Sequence, residues 1–221
     1  MKTTLHKTQN DLPEKVRRKA IDLLNQQLAD VLDLGLQAKQ AHWNVKGPHF
    51  IALHELFDKV AEELEEFTDD IAERAVELGG VALGTIQIVS KESRLDPYPL
   101  NLVSGPEHVT ALSKALAEFA VTTRAAIDAA AKAGDADTAD LFTEVSRGES
   151  EGIRSRFQPL NLHRMMRHHT NALQGFGFAT VALSEIFRKI SQNFSPAGVT
   201  SPFVARPIPT DTDSVVPVRG R

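Results

Sequence analysis

The chain has no cysteine, which excludes disulfide cross-links and thiolate metal sites and fits a reducing compartment. No run of eighteen apolar residues occurs in its 221 residues, so no membrane-spanning helix is expected. Met1 to Lys7 lacks the apolar core of a secretory signal, and the expectation is a cytoplasmic protein. No Glu is followed three residues later by His. The Glu-x-x-His pairs with which many di-iron bundles build a centre inside one subunit are therefore missing.

Charge is limited but unevenly spread. The net value is −4, yet residues 152–221 carry nine Lys or Arg against three Asp or Glu, which leaves residues 1–148 acidic. This length predicts one domain, or one domain with an extension.

The stretch richest in chemistry runs from His42 to Glu73. Phe50, Leu53, Leu56, Phe57, Val60, Leu64, Phe67 and Ile71 recur at three- and four-residue steps, which predicts one helix from Pro48 to Leu78. His42, His54, Asp58, Asp69 and Glu73 all carry groups that bind divalent metals. His54 and Asp58 are one turn apart on a shared face, and so are Asp69 and Glu73. The two pairs fall within an arc of roughly 100°, but Asp58 and Asp69 are about 16 Å apart along the axis. Paired catalytic metals sit only ~3.5–4 Å apart, so one chain cannot close a dinuclear site with both pairs.

Two chains can. A second copy of the helix, antiparallel across a two-fold axis near residues 63 and 64, sets His54 and Asp58 of one chain against Asp69 and Glu73 of the other. His42 lies beyond the Gly47-Pro48 break, positioned to lean over one end. Two imidazoles and three carboxylates suit Fe(II) and tolerate Zn or Mn. The plainer alternative is a solvated acidic helix face, which is how Glu62, Glu63, Glu65 and Glu66 are read.

The run QAKQAHWNVKGPHFIALHELFD, followed by ERAVELGGVALGT, resembles the Dps family, the DNA-binding proteins from starved cells. The resemblance extends from about Leu12 to Arg147. It implies an all-α, ferritin-like four-helix bundle with a short helix in a long central crossover, at the dimer interface. It also implies a dodecameric shell built from two-fold dimers, which oxidises Fe(II) with hydrogen peroxide at an intersubunit di-iron site and stores ferric iron. The implied catalytic and metal residues are His42, Asp69 and Glu73 of one subunit, with His54 and Asp58 completing the set from the partner. An aromatic at Trp43 takes part in electron transfer in such proteins; packing against the helix end is the simpler reading.

Taken in order, residues 1–11 read as a mobile basic tail, with Lys2, His6 and Lys7 available to phosphates, and Lys15, Arg17, Arg18 and Lys19 following. Residues 12–160 read as the bundle. Asp11-Leu12-Pro13-Glu14 predicts an acidic N-cap with an early proline, opening a helix that runs to about His42. Gly79-Gly80 is expected to end the long helix. A connection of some 25 residues from Val81 to Gly105 requires a crossover or an outlying short helix. Ser104-Gly105-Pro106-Glu107 predicts a capping box, Gly134 a stop, and Asp137 the start of a fourth helix.

The family pattern lapses after Arg147. Gly148 and Gly152 each cost about 1 kcal/mol relative to Ala in a helix, although Ile153, Phe157 and Leu160 extend the apolar face. Residues 161–221 read as an atypical basic extension, partly helical and then proline-rich and disordered. A reading-frame change in the gene is one account of it, and a true DNA-binding extension the other. His163, His168 and His169 have no nearby carboxylate and read as part of a basic patch.

Two functions from different classes follow. One is an iron-sequestering ferroxidase that protects DNA from oxidative damage. The other is a non-specific DNA-compacting structural protein with little oxidase activity.

Overall fold

The computed structural model describes residues 5–153 together with 156 and 157. Its helices are α1 (Glu14–Asn44), α2 (Phe50–Glu77), the short α3 (Ile86–Glu92), α4 (Gly105–Ala133) and α5 (Ala136–Arg147), which runs on as a π-helical segment, Gly148–Ile153. Helix α1 packs along α2 and α4, α4 along α5, and α3 lies against α1 in the crossover. This is the expected all-α bundle with a short helix in its long central connection.

The core is built from the predicted stripes. Leu24, Leu28 and Leu34 of α1 meet Leu53, Phe57 and Leu64 of α2, Leu112 and Phe119 of α4, and Phe142 of α5. Each such side chain contributes about 1.5–3 kcal/mol by leaving water. The helix ends follow local chemistry. Gly79, at φ +85°, and Gly80 donate to the carbonyls of Val76 and Ala75, which satisfies two end carbonyls of α2. The Ser104–Glu107 box caps α4 in both directions, and Gly134 ends it at φ +93°.

Several expectations are corrected. Helix α1 opens at Glu14 with Pro13 at the cap and no capping side chain; Asp11 stays exposed. The cap of α5 is Asp135, not Asp137. Its buried carboxylate accepts from the Thr138 backbone N–H and hydroxyl, and from Arg74 of α2 at 3.0 Å. Residues 5–10, expected within a mobile tail, are strapped to the end of α2: His6 N–H donates to Gly79 O, the Thr8 hydroxyl to Glu77 O, and Leu5 rests on the core.

The fourth helix does not stop at Gly148. A Cβ there would lie 2.5 Å from Phe67 Cζ, so glycine is what admits the Phe67 ring against the helix. Beyond it Ile153 and Phe157 are buried, and Phe157 stacks on Phe57 at 6.3 Å. The expectations for Leu160 and for residues 161–221, including the three histidines, lie outside the described residues.

Candidate metal centre

Helices α1 and α2 form an antiparallel hairpin joined by the turn 45–49, in which Gly47 adopts φ +109°. The turn is pinned from outside, with Lys46 N–H donating to Val103 O just before α4. His42, in the last turn of α1, is thereby brought face to face with His54, near the start of α2. Their rings stack at 3.6 Å with 23° between planes. Each Nδ1 lies 2.9 Å from the other residue's backbone carbonyl oxygen.

That exchange has a chemical consequence. A carbonyl oxygen only accepts, so each Nδ1 carries a proton, and the tautomer this selects has its lone pair at Nε2. Fixing one nitrogen by a backbone carbonyl is how metal-binding imidazoles are commonly oriented. The His42 carbonyl is also one of the unpaired carbonyls at the end of α1, so the bond from His54 closes that helix end.

Asp58 stands one turn beyond His54. Its Oδ1 lies 3.8 Å from His42 Nδ1 and accepts from Lys39 Nζ at 2.5 Å. The Lys39 hydrogen bond holds the Asp58 carboxyl below the usual carboxylate range, with burial opposing it. It is therefore an anion at neutral pH. Lys39 was not picked out in the sequence, although its place three residues before His42 puts it on the same face of α1.

Asp69 and Glu73 are exposed on α2, remote from this cluster along the helix. Beside Glu73, Arg74 is anchored on Asp135 and Thr138, which fixes this part of α2 against α5. The structure thus joins His42 to His54 and Asp58 within one protomer. The resemblance implied His42 on the side of Asp69 and Glu73; within the protomer His42 lies instead against His54. Among the described residues, no group of three or more His, Asp or Glu is arranged to hold a metal within one chain. Trp43 is 63% exposed rather than packed on the helix end, and Leu36 and Ile86 are exposed apolar side chains too. No described helix is long and apolar enough to cross a membrane.

A hairpin of long helices, a crossover with a short helix and a second helix pair define a ferritin-like bundle, and the sequence model of the ferritin-like domain matches residues 21–156. The chain belongs, more narrowly, to the Dps family. It is 50% identical over 147 residues to the DNA protection during starvation protein of Agrobacterium fabrum, covering 66% of this chain and 90% of that one. Among solved structures it resembles DpsC from Streptomyces coelicolor, with a TM-score of 0.65 and 30% identity over 68% of this chain and 88% of that one. It resembles the tetragonal form of Mycobacterium smegmatis Dps equally, with a TM-score of 0.65 and 30% identity over 70% and 93%.

Proposed function

We propose that the protein takes up ferrous iron, oxidises it with hydrogen peroxide and stores the ferric product, at a centre that two copies of the chain complete together. His42, His54 and Asp58 of one protomer form one half. Asp69 and Glu73 of a second copy, antiparallel across a two-fold axis, form the other. The carrying observation is the reciprocal His42–His54 hydrogen bonding, which turns both Nδ1 atoms to backbone carbonyls and leaves the two Nε2 atoms as donors that a second copy's carboxylates would complete. Mixed imidazole and carboxylate donors fit ferrous iron. Iron supplies the electrons; the protein supplies geometry.

Lys39 holds the Asp58 carboxylate in place before iron arrives and is the group that iron must displace from it. The exposed apolar residues Leu36, Trp43 and Ile86 give a second copy a surface to cover. Closing twelve copies into a shell would put the carboxylates of α2 toward a store of ferric mineral, and removal of iron and peroxide together would protect DNA.

The test is stopped-flow oxidation of ferrous iron by peroxide, with the oligomer mass measured by light scattering. Wild-type protein should turn over as a dimer or larger assembly, while H54A and E73Q fail without losing helix content. Turnover by a monomer would refute a shared centre. The second reading, DNA compaction with little oxidase activity, draws on the exposed Lys15, Arg18 and Lys19 at the first turns of α1. Retardation of plasmid that weakens steeply with salt, without iron turnover, would favour it.

A further inference from the structure

One polar pair, a half-buried phenol on a buried imidazole, plays no part in the candidate centre. Tyr98, the only tyrosine of the chain, comes from the crossover after α3 and packs against the core. Its hydroxyl lies 2.6 Å from Nδ1 of His108, which is 1% exposed in α4. Burial raises the Tyr98 phenol well above its ordinary range. Burial also lowers His108, with the Glu107 charge and the Asn44 backbone opposing. Both groups are therefore neutral at pH 7: the phenol donates, Nδ1 accepts, and the proton of the ring is on Nε2. That Nε2 reaches toward the Asn44 backbone but makes no well-formed hydrogen bond.

A phenol half out of water and hydrogen-bonded to a buried imidazole gives up an electron more readily when its proton leaves at the same time, because the cationic radical is costly away from solvent. Here a base stands at hydrogen-bond distance. The location matters as well. His108 lies 6.4 Å from the ring of Phe57, the residue immediately before Asp58 and one turn beyond His54. Phe57 thus links the pair to the turn of α2 that carries His54 and Asp58.

We propose that Tyr98 and His108 form a proton-coupled electron relay, in which Tyr98 yields one electron while its hydroxyl proton crosses to His108 Nδ1. This role rests on the iron chemistry proposed above. When a single ferrous ion meets hydrogen peroxide, it becomes ferric and releases hydroxide and a hydroxyl radical. The radical takes the Tyr98 electron and becomes a second hydroxide, leaving a neutral phenoxyl and a protonated His108. A second ferrous ion then returns the electron, His108 returns the proton, and the pair is restored. The sum is two ferrous ions oxidised per peroxide with no radical released, even where only one iron is bound at a time.

The test has an arm without iron and an arm with it. In iron-free protein, a photogenerated one-electron oxidant should produce a phenoxyl radical, assignable to Tyr98 by its absence in Y98F. Its EPR spectrum should show the hydrogen-bonded phenoxyl signature. H108F should abolish that signature, and H108Q, which keeps an acceptor but no base, should slow radical formation about a hundredfold at unchanged helix content. No radical, or one indifferent to both His108 variants, would overturn the relay and leave a structural hydrogen bond. In the second arm, one ferrous ion per site with peroxide should give the same radical on freeze-quenching. Iron oxidised at the wild-type rate without a Tyr98 radical also overturns the proposal. Absence of iron oxidation alongside a normal radical in the first arm refutes the iron function while the relay stands.

Discussion

Mixing two inactive variants tests the shared centre and its grouping together. In the proposed two-fold dimer each centre would take His42, His54 and Asp58 from one protomer and Asp69 and Glu73 from the other. An H54A protomer paired with an E73Q protomer has one centre carrying both defects and one carrying neither. Tandem purification keeps only mixed dimers, and one centre in two is intact there, so about half of wild-type turnover should return. Pairing H42A with H54A should return nothing, because the contact at 3.6 Å between the rings puts both residues in the same half. The assay is co-expression with two different affinity tags, tandem purification, and peroxide-driven ferrous oxidation. Recovery from H42A with H54A would refute the grouping, and no recovery from H54A with E73Q would refute the shared centre.

Other perturbations follow from the packing. G148A should destabilise the protein by about 1–3 kcal/mol, because its methyl would meet Phe67 Cζ at 2.5 Å; urea melts followed by circular dichroism would show this, and an unchanged midpoint would contradict it. D30A should cost about 1.5–3 kcal/mol by the same measurement, since the fully buried Asp30 carboxylate accepts from the Arg94 backbone N–H and its guanidinium and so ties the crossover to α1. His108, lowered from 6.5 by burial, binds its proton less readily folded than unfolded. Its contribution is therefore complete above pH 6.5 and declines as pH falls toward the lowered folded value, a decline that H108Q should remove from the pH profile of the melting temperature.

What was legible in the sequence was mostly local. The α2 stripe, the Gly79-Gly80 stop and the Ser104–Glu107 box each depend on residues within a few positions of one another, and all three stand where expected. Misplacements arose where distant partners decide. The sequence pointed to Asp137 as the start of the fourth helix, whereas Asp135 caps it, held by Thr138 and by Arg74, some sixty residues earlier. Gly148 reads as a helix breaker until Phe67 is seen against it. At the candidate centre, the metal-binding residue types and their helical spacing were readable. The contact of His42 with His54 was not, since it depends on the turn between two helices; nor was the clasp of Lys39 on Asp58, nineteen residues away in sequence.

The five-residue link between α1 and α2 carries no ligand, yet it decides where two imidazoles point. A residue inserted there would loosen the pairing of the two helix ends and let one ring drift off the other's carbonyl, while every donor atom remained present in the polypeptide. The mutual placing of the two imidazoles is in that sense written into loop length as much as into side-chain identity. Variation in such proteins should accordingly be tolerated almost anywhere on the outer helix faces before it is tolerated in that bend.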